Sequence, residues 1–293
     1  MNLVRTFADA RARYQGTVAL VPTMGFFHEG HLALMTAARN AADTVVVSHF
    51  VNPLQFDNPA DLERYPRDVE RDMTIAEEAK VDILVAPTSA EMIPQPPLTG
   101  VAVAGLTASM EGLMRPGHFA GVATIVTKLF AGLQPHLAFF GRKDAQQLAV
   151  IRRLVLDLSF PVRVLAHPTV RESDGVALSS RNTLLTTDER RAARELSQGL
   201  FAAAAAVEAG ERNGPRLESI VRDALQSSHP DYVELASQDR VERLGELDRP
   251  SFLAVAARVG KVRLIDNIAF DLVAGEVVAD RGLRLEHPSL LYR

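Results

Sequence analysis

The stretch VALVPTMGFFHEGH, Val18 to His31, decides the fold. Val18 to Val21 is an apolar run with the composition of a buried strand, and Gly25 supplies a sharp exit turn. The run His31-Leu-Ala-Leu-Met-Thr-Ala-Ala-Arg39 reads as the helix that follows. Strand, tight turn and helix in that order are the opening unit of an α/β fold. His28 and His31 then stand at i and i+3, on one face of the helix N-terminus. Free backbone N–H groups and the positive dipole end favour an anion there, and paired imidazoles can donate to phosphate oxygens. Gly30 between them lets a flat base or ribose approach the backbone. A second account stays open on this segment alone: a helix start that carries histidines, with His28 near the N-cap.

Working outward, short β-rich runs alternate with helical patterns through the first two-thirds of the 293 residues. The strands predicted are Thr17–Val21, Thr44–Val51, Val81–Ala86, Leu137–Phe140 and Val162–Leu165. Between them the pattern predicts helices over Leu32–Ala42, Asp61–Ala79, Val122–Leu133 and Ala145–Leu158. Strands apolar on both faces and separated by helices make a parallel sheet covered on each side, with ligands beyond its carboxyl edge. From Thr186 the character changes. A long alanine-rich helix, capped by Thr186 with Glu189, is followed by a break at Asn213-Gly214-Pro215, a helix over Arg216–Gln226, and strands over Tyr232–Ala236, Phe252–Val259 and Lys261–Asp266. The expected architecture is an α/β protein: a Rossmann-like parallel-sheet domain over residues 1–169, and a smaller α+β domain with an antiparallel sheet over residues 170–293.

Composition narrows the class. A hydrophobic content of 47% with 23% charged residues is ordinary for a soluble globular chain. Lys plus Arg number 32 against 36 acidic residues, a net charge of −4, which argues against a nucleic-acid surface as the chain's main business. Cysteine is absent, so disulfides, thiolate metal sites and cysteine nucleophiles are excluded. The first residues have no signal-peptide core, and no run is apolar enough to span a membrane. The expectation is a cytoplasmic protein without a membrane or nucleic-acid partner.

Four further segments carry candidate chemistry. Phe50-Val-Asn-Pro-Leu-Gln-Phe56 puts Asn52 and Gln55 in a loop after a strand; a plain turn with a solvated amide is the alternative. In Gly141-Arg-Lys-Asp-Ala-Gln-Gln147, Asp144 and Gln147 match a capping box for the next helix. Lys143 stands before a helix N-terminus, where a cation gains nothing from the dipole unless an anion comes too. Leu178-Ser-Ser-Arg-Asn182 offers hydroxyls and a bidentate guanidinium for phosphate, or is simply a polar loop. Arg115-Pro-Gly-His-Phe119 is a turn in which His118 is open between a site, a subunit contact and turn chemistry. The chain has no nucleophile elbow, no Walker loop and no H-E-x-x-H pair, His28-Glu-Gly-His31 being one residue short.

Together PTMGFFHEGH, FVNPLQF, YPRD, RPGHFAGVATIVTKLF, FFGRKDAQQL and LSSRN, in that order from about Val4 to Asn267, closely resemble the pantothenate synthetases (pantoate–β-alanine ligases) of the H-x-G-H nucleotidyltransferase superfamily, which shares its core with class I aminoacyl-tRNA synthetases. The resemblance implies a two-step reaction. The pantoate carboxylate attacks the α-phosphorus of ATP, giving pantoyl adenylate and pyrophosphate; the β-alanine amine then attacks the acyl carbon and releases AMP. It further implies an ATP site of Pro22, Met24, Gly25, His28, Gly30, His31, Gly141, Arg142, Lys143, Asp144, Val170, Leu178, Ser179, Ser180 and Arg181. His31, His28, Lys143 and Arg181 are then catalytic, and Gln55, Gln147 and Asn52 hold substrate. Mg²⁺ accompanies the polyphosphate because it neutralises it; its protein ligand is left unassigned, with Asp72 one candidate. A homodimer is implied too; and because an acyl adenylate hydrolyses easily, the second domain, with Arg181 at its start, is expected to close as a lid that excludes water. The departures are Phe26-Phe27 before the first histidine, Arg142 where an acid is usual, and Leu178 in place of methionine. An adenylyltransferase acting on a phosphate shares the histidines but not VNPLQF or KDAQQ. A tRNA-charging enzyme or a non-catalytic nucleotide sensor accounts for still fewer of the motifs.

Overall fold

In the computed structural model, which describes residues 1–94 and 97–292, the chain divides into two compact units. Met1–Phe140 with Val150–His167 form the first; Gly141–Ala149 with Pro168–Arg293 form the second. The segment Gly141–Ala149 thus clusters with residues far along the chain, which no single cut in the sequence conveys.

The first unit is built on β1 (Asn2–Val4), α1 (Phe7–Arg11), β2 (Val18–Thr23), α2 (Glu29–Ala41), β3 (Thr44–His49), α3 (Pro59–Arg64), α4 (Val69–Glu78), β4 (Ile83–Val85), α5 (Ser89–Met92), α6 (Met110–Met114), α7 (His118–Leu133), β5 (Leu137–Gly141), α8 (Ala145–Asp157) and β6 (Arg163–His167). Helix α8 begins in residues of the second unit and ends in the first. The sheet is six-stranded in the order β1-β4-β3-β2-β5-β6, with parallel registers such as Val21↔Val47, Ala19↔Leu137 and Val46↔Ile83. Val45, Val46 and Val47 are wholly buried, as strands covered on both faces require. Because the strands run parallel, β2 and β3 deliver their following loops to one edge.

Three local readings are corrected. The single helix expected over Asp61–Ala79 is broken, since Pro66 holds Tyr65 extended and Asp68 caps a new start for α4. Helix α7 starts at His118 instead of Val122, because Gly117 takes a left-handed φ of 85° at its N-cap. Strand β3 stops at His49, two residues short of the expected end, where the chain turns into the Asn52 loop.

The second unit contains β7 (Val170–Arg171), α9 (Thr187–Glu208), α10 (Gly214–Ala224), β8 (His229–Ser237), β9 (Ser251–Val259), β10 (Val262–Val273), β11 (Glu276–Asp280) and β12 (Leu283–Arg284). β8 to β11 form an antiparallel four-stranded sheet in the order β11-β10-β9-β8. Leu196, Leu200, Ala203 and Val207 of α9 share one buried core with Leu253, Val255, Ile268 and Phe270 of the sheet. Thr186 and Glu189 form the expected capping box, and Asn213 caps α10 ahead of Pro215. Strand β10 runs past its predicted end at Asp266 to Val273, and β7 and β12 pair in parallel apart from the main sheet.

Candidate active site

In the first unit the histidines are fixed by one another. His28 is the N-cap of α2; its Nδ1 accepts the Gly30 N–H at 3.1 Å, while His31 Nδ1 accepts the His28 N–H at 3.3 Å. This is a capping box in which both side chains are imidazoles. A nitrogen that accepts a hydrogen bond carries no proton, so in both rings Nε2 holds the hydrogen. The rings lie 4.1 Å apart between centroids and tilt by 33°. The helix-start account is thus met, since both Nδ1 atoms serve the cap, and it leaves the phosphate account open, since capping does not use Nε2.

The loop before them is held by residues that sequence reasoning assigned elsewhere or missed. Gly25 and Phe26 both take left-handed φ values, 84° and 54°. The Phe26 N–H donates to Asp72 Oδ2 at 2.5 Å and the Phe27 N–H to Asp72 Oδ1 at 2.7 Å. His49 Nε2 lies 2.9 Å from Oδ2, and the Arg71 guanidinium sits 5.0 Å over the Phe26 ring. Asp72 is wholly buried. A Cβ on Gly25 would collide with His49 Nε2, so glycine is needed for space as well as for φ. In this structure both Asp72 oxygens hold the loop, a structural role the sequence reading did not assign to it. The fully buried Phe27 anchors the same turn, with its ring 5.5 Å from His31 and 5.8 Å from His49. His49 carried no signal beyond its place at a strand end.

At the end of β3, Asn52 is buried and committed internally. Its Oδ1 accepts the Leu54 N–H at 3.0 Å, and its Nδ2 donates to Gln55 Oε1 at 3.0 Å and Gly121 O at 3.1 Å. Both of its N–H groups are in use, so Asn52 orients Gln55. With Gln55 Oε1 taken, Nε2 is the end of that amide suited to a carboxylate. The Gln55 main-chain oxygen accepts from His118 Nδ1 at 2.9 Å and Arg115 Nη2 at 3.1 Å. Arg115 also reaches Asp57 at 3.2 Å. Burial pushes the Asp57 carboxyl up, but its own backbone N–H and the Arg115 charge outweigh this and hold it below the usual range. The RPGHF turn, left open by the sequence, thus clamps the Gln55 loop. A Cβ on Gly121 would collide with Leu54 O, which is why α7 can lie so close to that loop.

In the second unit, Arg142–Asp144 is a 3-10 turn with Gly141 at its N-cap and no side-chain cap. It runs straight into α8, so Asp144 lies inside the helical run and is not the cap expected of it. Asn267 of β10 holds this turn, donating from Nδ2 to Arg142 O at 2.9 Å and Lys143 O at 2.7 Å. Arg142 pairs with Asp271 at 2.6 Å and Asp280 at 3.2 Å, so its charge is matched by carboxylates within the second unit. Behind the turn, buried Arg171 makes a bidentate pair with Asp266 at 2.6 and 3.0 Å and donates to Asn267 O at 3.1 Å. The Lys143 ammonium, by contrast, has no ion-pair partner among the described residues, and neither has Arg181. Arg181 is exposed in a 3-10 turn, Ser180–Leu184, whose N-cap Ser179 accepts the Arg181 N–H at 3.3 Å. Val170 and Leu178 are buried, joined by the Leu178 N–H to Val170 O bond at 2.9 Å, and Gln147 on α8 is half-buried.

The predicted residues therefore fall into local groups. Pro22 to His31 stand at the end of β2 and the start of α2, and Asn52 with Gln55 follow the neighbouring β3. Gly141 to Gln147 and Val170 to Arg181 belong to the second unit. Among the described residues no His, Asp and Glu side chains gather as a metal cage, and no helix is long and apolar enough to cross a membrane.

Against known proteins, the profile of the family described as pantoate–β-alanine ligase matches residues 1–269. A pantothenate synthetase of Roseiflexus castenholzii is 50% identical over 264 residues, 89% of this chain and 95% of that protein. The crystal structure of pantothenate synthetase from Thermus thermophilus aligns with a TM-score of 0.86 at 45% identity, covering 91% of this chain and 98% of that one. That of the pantoate–β-alanine ligase from Francisella tularensis, complexed with β-γ ATP and β-alanine, aligns with a TM-score of 0.76 at 31% identity, over 92% and 97% of the two chains.

Proposed function

The chain belongs to the pantoate–β-alanine ligase family, and from that premise we infer that it condenses pantoate with β-alanine at the expense of ATP, through an acyl adenylate, releasing pyrophosphate and then AMP. The observation that carries the reading is the imidazole capping box. It sets both imidazoles at a helix N-terminus, where phosphate is favoured, with Nε2 as the protonated nitrogen of each ring.

The division of labour follows from the chemistry. In the first step the pantoate carboxylate attacks the α-phosphorus, and charge grows on the phosphoryl oxygens and on the departing pyrophosphate. On the family resemblance, the residues proposed to supply donors and positive charge for those oxygens are His28 and His31 in the first unit and Lys143, Ser179 and Arg181 in the second. Lys143 and Arg181 suit this role because no carboxylate neutralises them among the described residues. Losing one such donor costs about 3 kcal/mol, roughly a hundredfold in rate. Gln55 and Gln147 hold pantoate through neutral amides, which leave the carboxylate nucleophilic where a guanidinium would damp it. Met24, Gly25, Gly30, Gly141, Asp144, Val170 and Leu178 line the nucleotide through backbone and apolar contacts, and Asn52 acts by orienting Gln55. In the second step the β-alanine nitrogen attacks the acyl carbon and AMP leaves with the bonding electrons on its phosphate oxygen.

Mg²⁺, where it accompanies ATP, would neutralise polyphosphate charge; among the described residues no carboxylates and histidines gather to hold it, and no step is assigned to the metal. A cytoplasmic homodimer remains part of the proposal, the compartment on composition and the dimer on the sequence resemblance alone. The deciding assay measures pyrophosphate release from ATP with pantoate alone, then AMP release when β-alanine is added. Pyrophosphate release that ignores pantoate rejects the ligase.

A further inference from the structure

We propose that residues 281–292, beyond the 1–269 span matched by the family profile, form a strap that positions the Ser179–Arg181 turn for ATP. The proposal rests on the reading of that turn as part of the nucleotide site. β12 lies along one edge of β7: the Leu283 N–H donates to Thr169 O at 2.8 Å and the Leu285 N–H to Arg171 O at 2.8 Å. Gly282 makes that approach possible, with φ of 83° and no space for a Cβ, which would collide with Thr169 O. Along the other edge of β7 the chain returns, Glu172 N–H donating to Val176 O at 2.8 Å and Leu178 N–H to Val170 O at 2.9 Å. The next residues of that return are Ser179, Ser180 and Arg181. β7 is therefore held between the strap and the segment that leads into the turn.

The far end of the strap is tied to the same turn by side chains. Ser289 and Leu291 are buried, and Ser289 Oγ accepts the Leu291 N–H at 3.2 Å. Tyr292 donates its hydroxyl to Glu172 Oε1 at 3.1 Å and accepts from Arg190 Nη1 at 3.2 Å. That one carboxylate oxygen also takes Asn182 Nδ2 at 2.7 Å and Arg190 Nη1 at 2.8 Å. Asn182, next to Arg181, is buried and donates in addition to Ala177 O at 3.1 Å. The hold on the turn thus runs from Tyr292 through Glu172 to Asn182. Arg181 itself is exposed, so its guanidinium is aimed by the backbone of the turn. Tyr292, Glu172 and Asn182 are positioning residues in this scheme, since none is proposed to touch ATP.

The test uses the full chain with Tyr292→Phe, which removes only the hydroxyl, and Leu283→Pro, which removes the N–H bonded to Thr169 O. Arg181→Ala serves as the reference for the site reading. Michaelis constants for ATP and pantoate are measured, with amide hydrogen exchange over residues 177–184. The expected result is an ATP KM raised about threefold by Tyr292→Phe and about tenfold by Leu283→Pro, an unchanged pantoate KM, and faster exchange confined to 177–184 and the strap. An unchanged ATP KM in both variants, with a raised one in Arg181→Ala, overturns the strap and leaves the site reading standing. Equal changes in both Michaelis constants also overturn it, by showing a general structural effect. Unaltered ATP KM and pyrophosphate release in Arg181→Ala overturn the premise itself.

Discussion

Replacing Asp72 by Asn separates two roles for a buried carboxylate. In the structure its oxygens accept the Phe26 and Phe27 N–H groups at 2.5 and 2.7 Å and face His49 Nε2 at 2.9 Å. Asparagine keeps the size but exchanges one acceptor for an NH₂ group. Whichever way the amide turns, a donor then faces a donor inside a site that is fully buried. Hydrogen bonds to charged groups contribute about 1.5–3 kcal/mol each, and breaking a buried charged arrangement costs about 3–5 kcal/mol. Asn retains one accepting oxygen, so about 3 kcal/mol is the expected loss, a large share of the roughly 5–15 kcal/mol that holds a domain folded. Denaturant unfolding of the first unit should show a lowered midpoint at unchanged slope. Adenylation should fall about a hundredfold, because the loop that delivers His28 and His31 loses its hold and displacement of about 1 Å costs that much. A stability change below about 1 kcal/mol, with activity restored by excess Mg²⁺, would refute the reasoning and return Asp72 to the metal.

Asn267→Ala leaves the Arg142 and Lys143 carbonyls without their donor, so the ATP KM should rise about tenfold while the pantoate KM holds; equal values for the wild type and the variant in a pyrophosphate-release assay would dismiss the clamp. His118→Ala removes the donor to the Gln55 carbonyl, so here the pantoate KM should rise about fivefold and that for ATP should not, as initial-rate kinetics would reveal. Glu234→Gln tests a pH effect. Burial raises the Glu234 carboxyl and Glu218 adds to it, against a pull from Arg243, so the folded chain binds this proton more tightly than the unfolded chain. The associated stability is whole below the ordinary glutamate range of about 4.3 and fades as pH rises through the folded value. The variant should therefore match the wild type near pH 4 and be the more stable near pH 7 in thermal melts, and a gap of opposite sign would contradict the burial argument.

The parallel sheet was legible because Val18–Val21 and Val45–Val47 are continuous apolar runs, which only a strand covered on both faces tolerates. The cap of α9 was legible because Thr186 and Glu189 act within one turn of backbone. The break at Pro66 is equally local, since a proline and the extended residue before it interrupt the helix whatever the apolar spacing on either side. The end of β10 was missed because it is set by partners and not by its own residues: Asn267 to Phe270 pair with β9, and Ala269 to Val273 with β11 beyond the turn at Ala274 and Gly275.

What the sequence determined by itself was the inventory: strand-turn-helix at Val18–His31, the histidine spacing, and an ordered set of motifs that specifies the family. Such features depend on residues a few positions apart, and the backbone repeats every few residues. What only the tertiary structure decided was which polar groups remain available for a ligand. Asp72, Asn52 and Arg142 look like site residues in the chain, yet partners 45 to 46, 69 and 129 positions away occupy them. Lys143 and Arg181 look no different and keep their charges unpaired among the described residues. A hydrogen bond or ion pair acts over about 3 Å, and only folding determines which distant residues come that close.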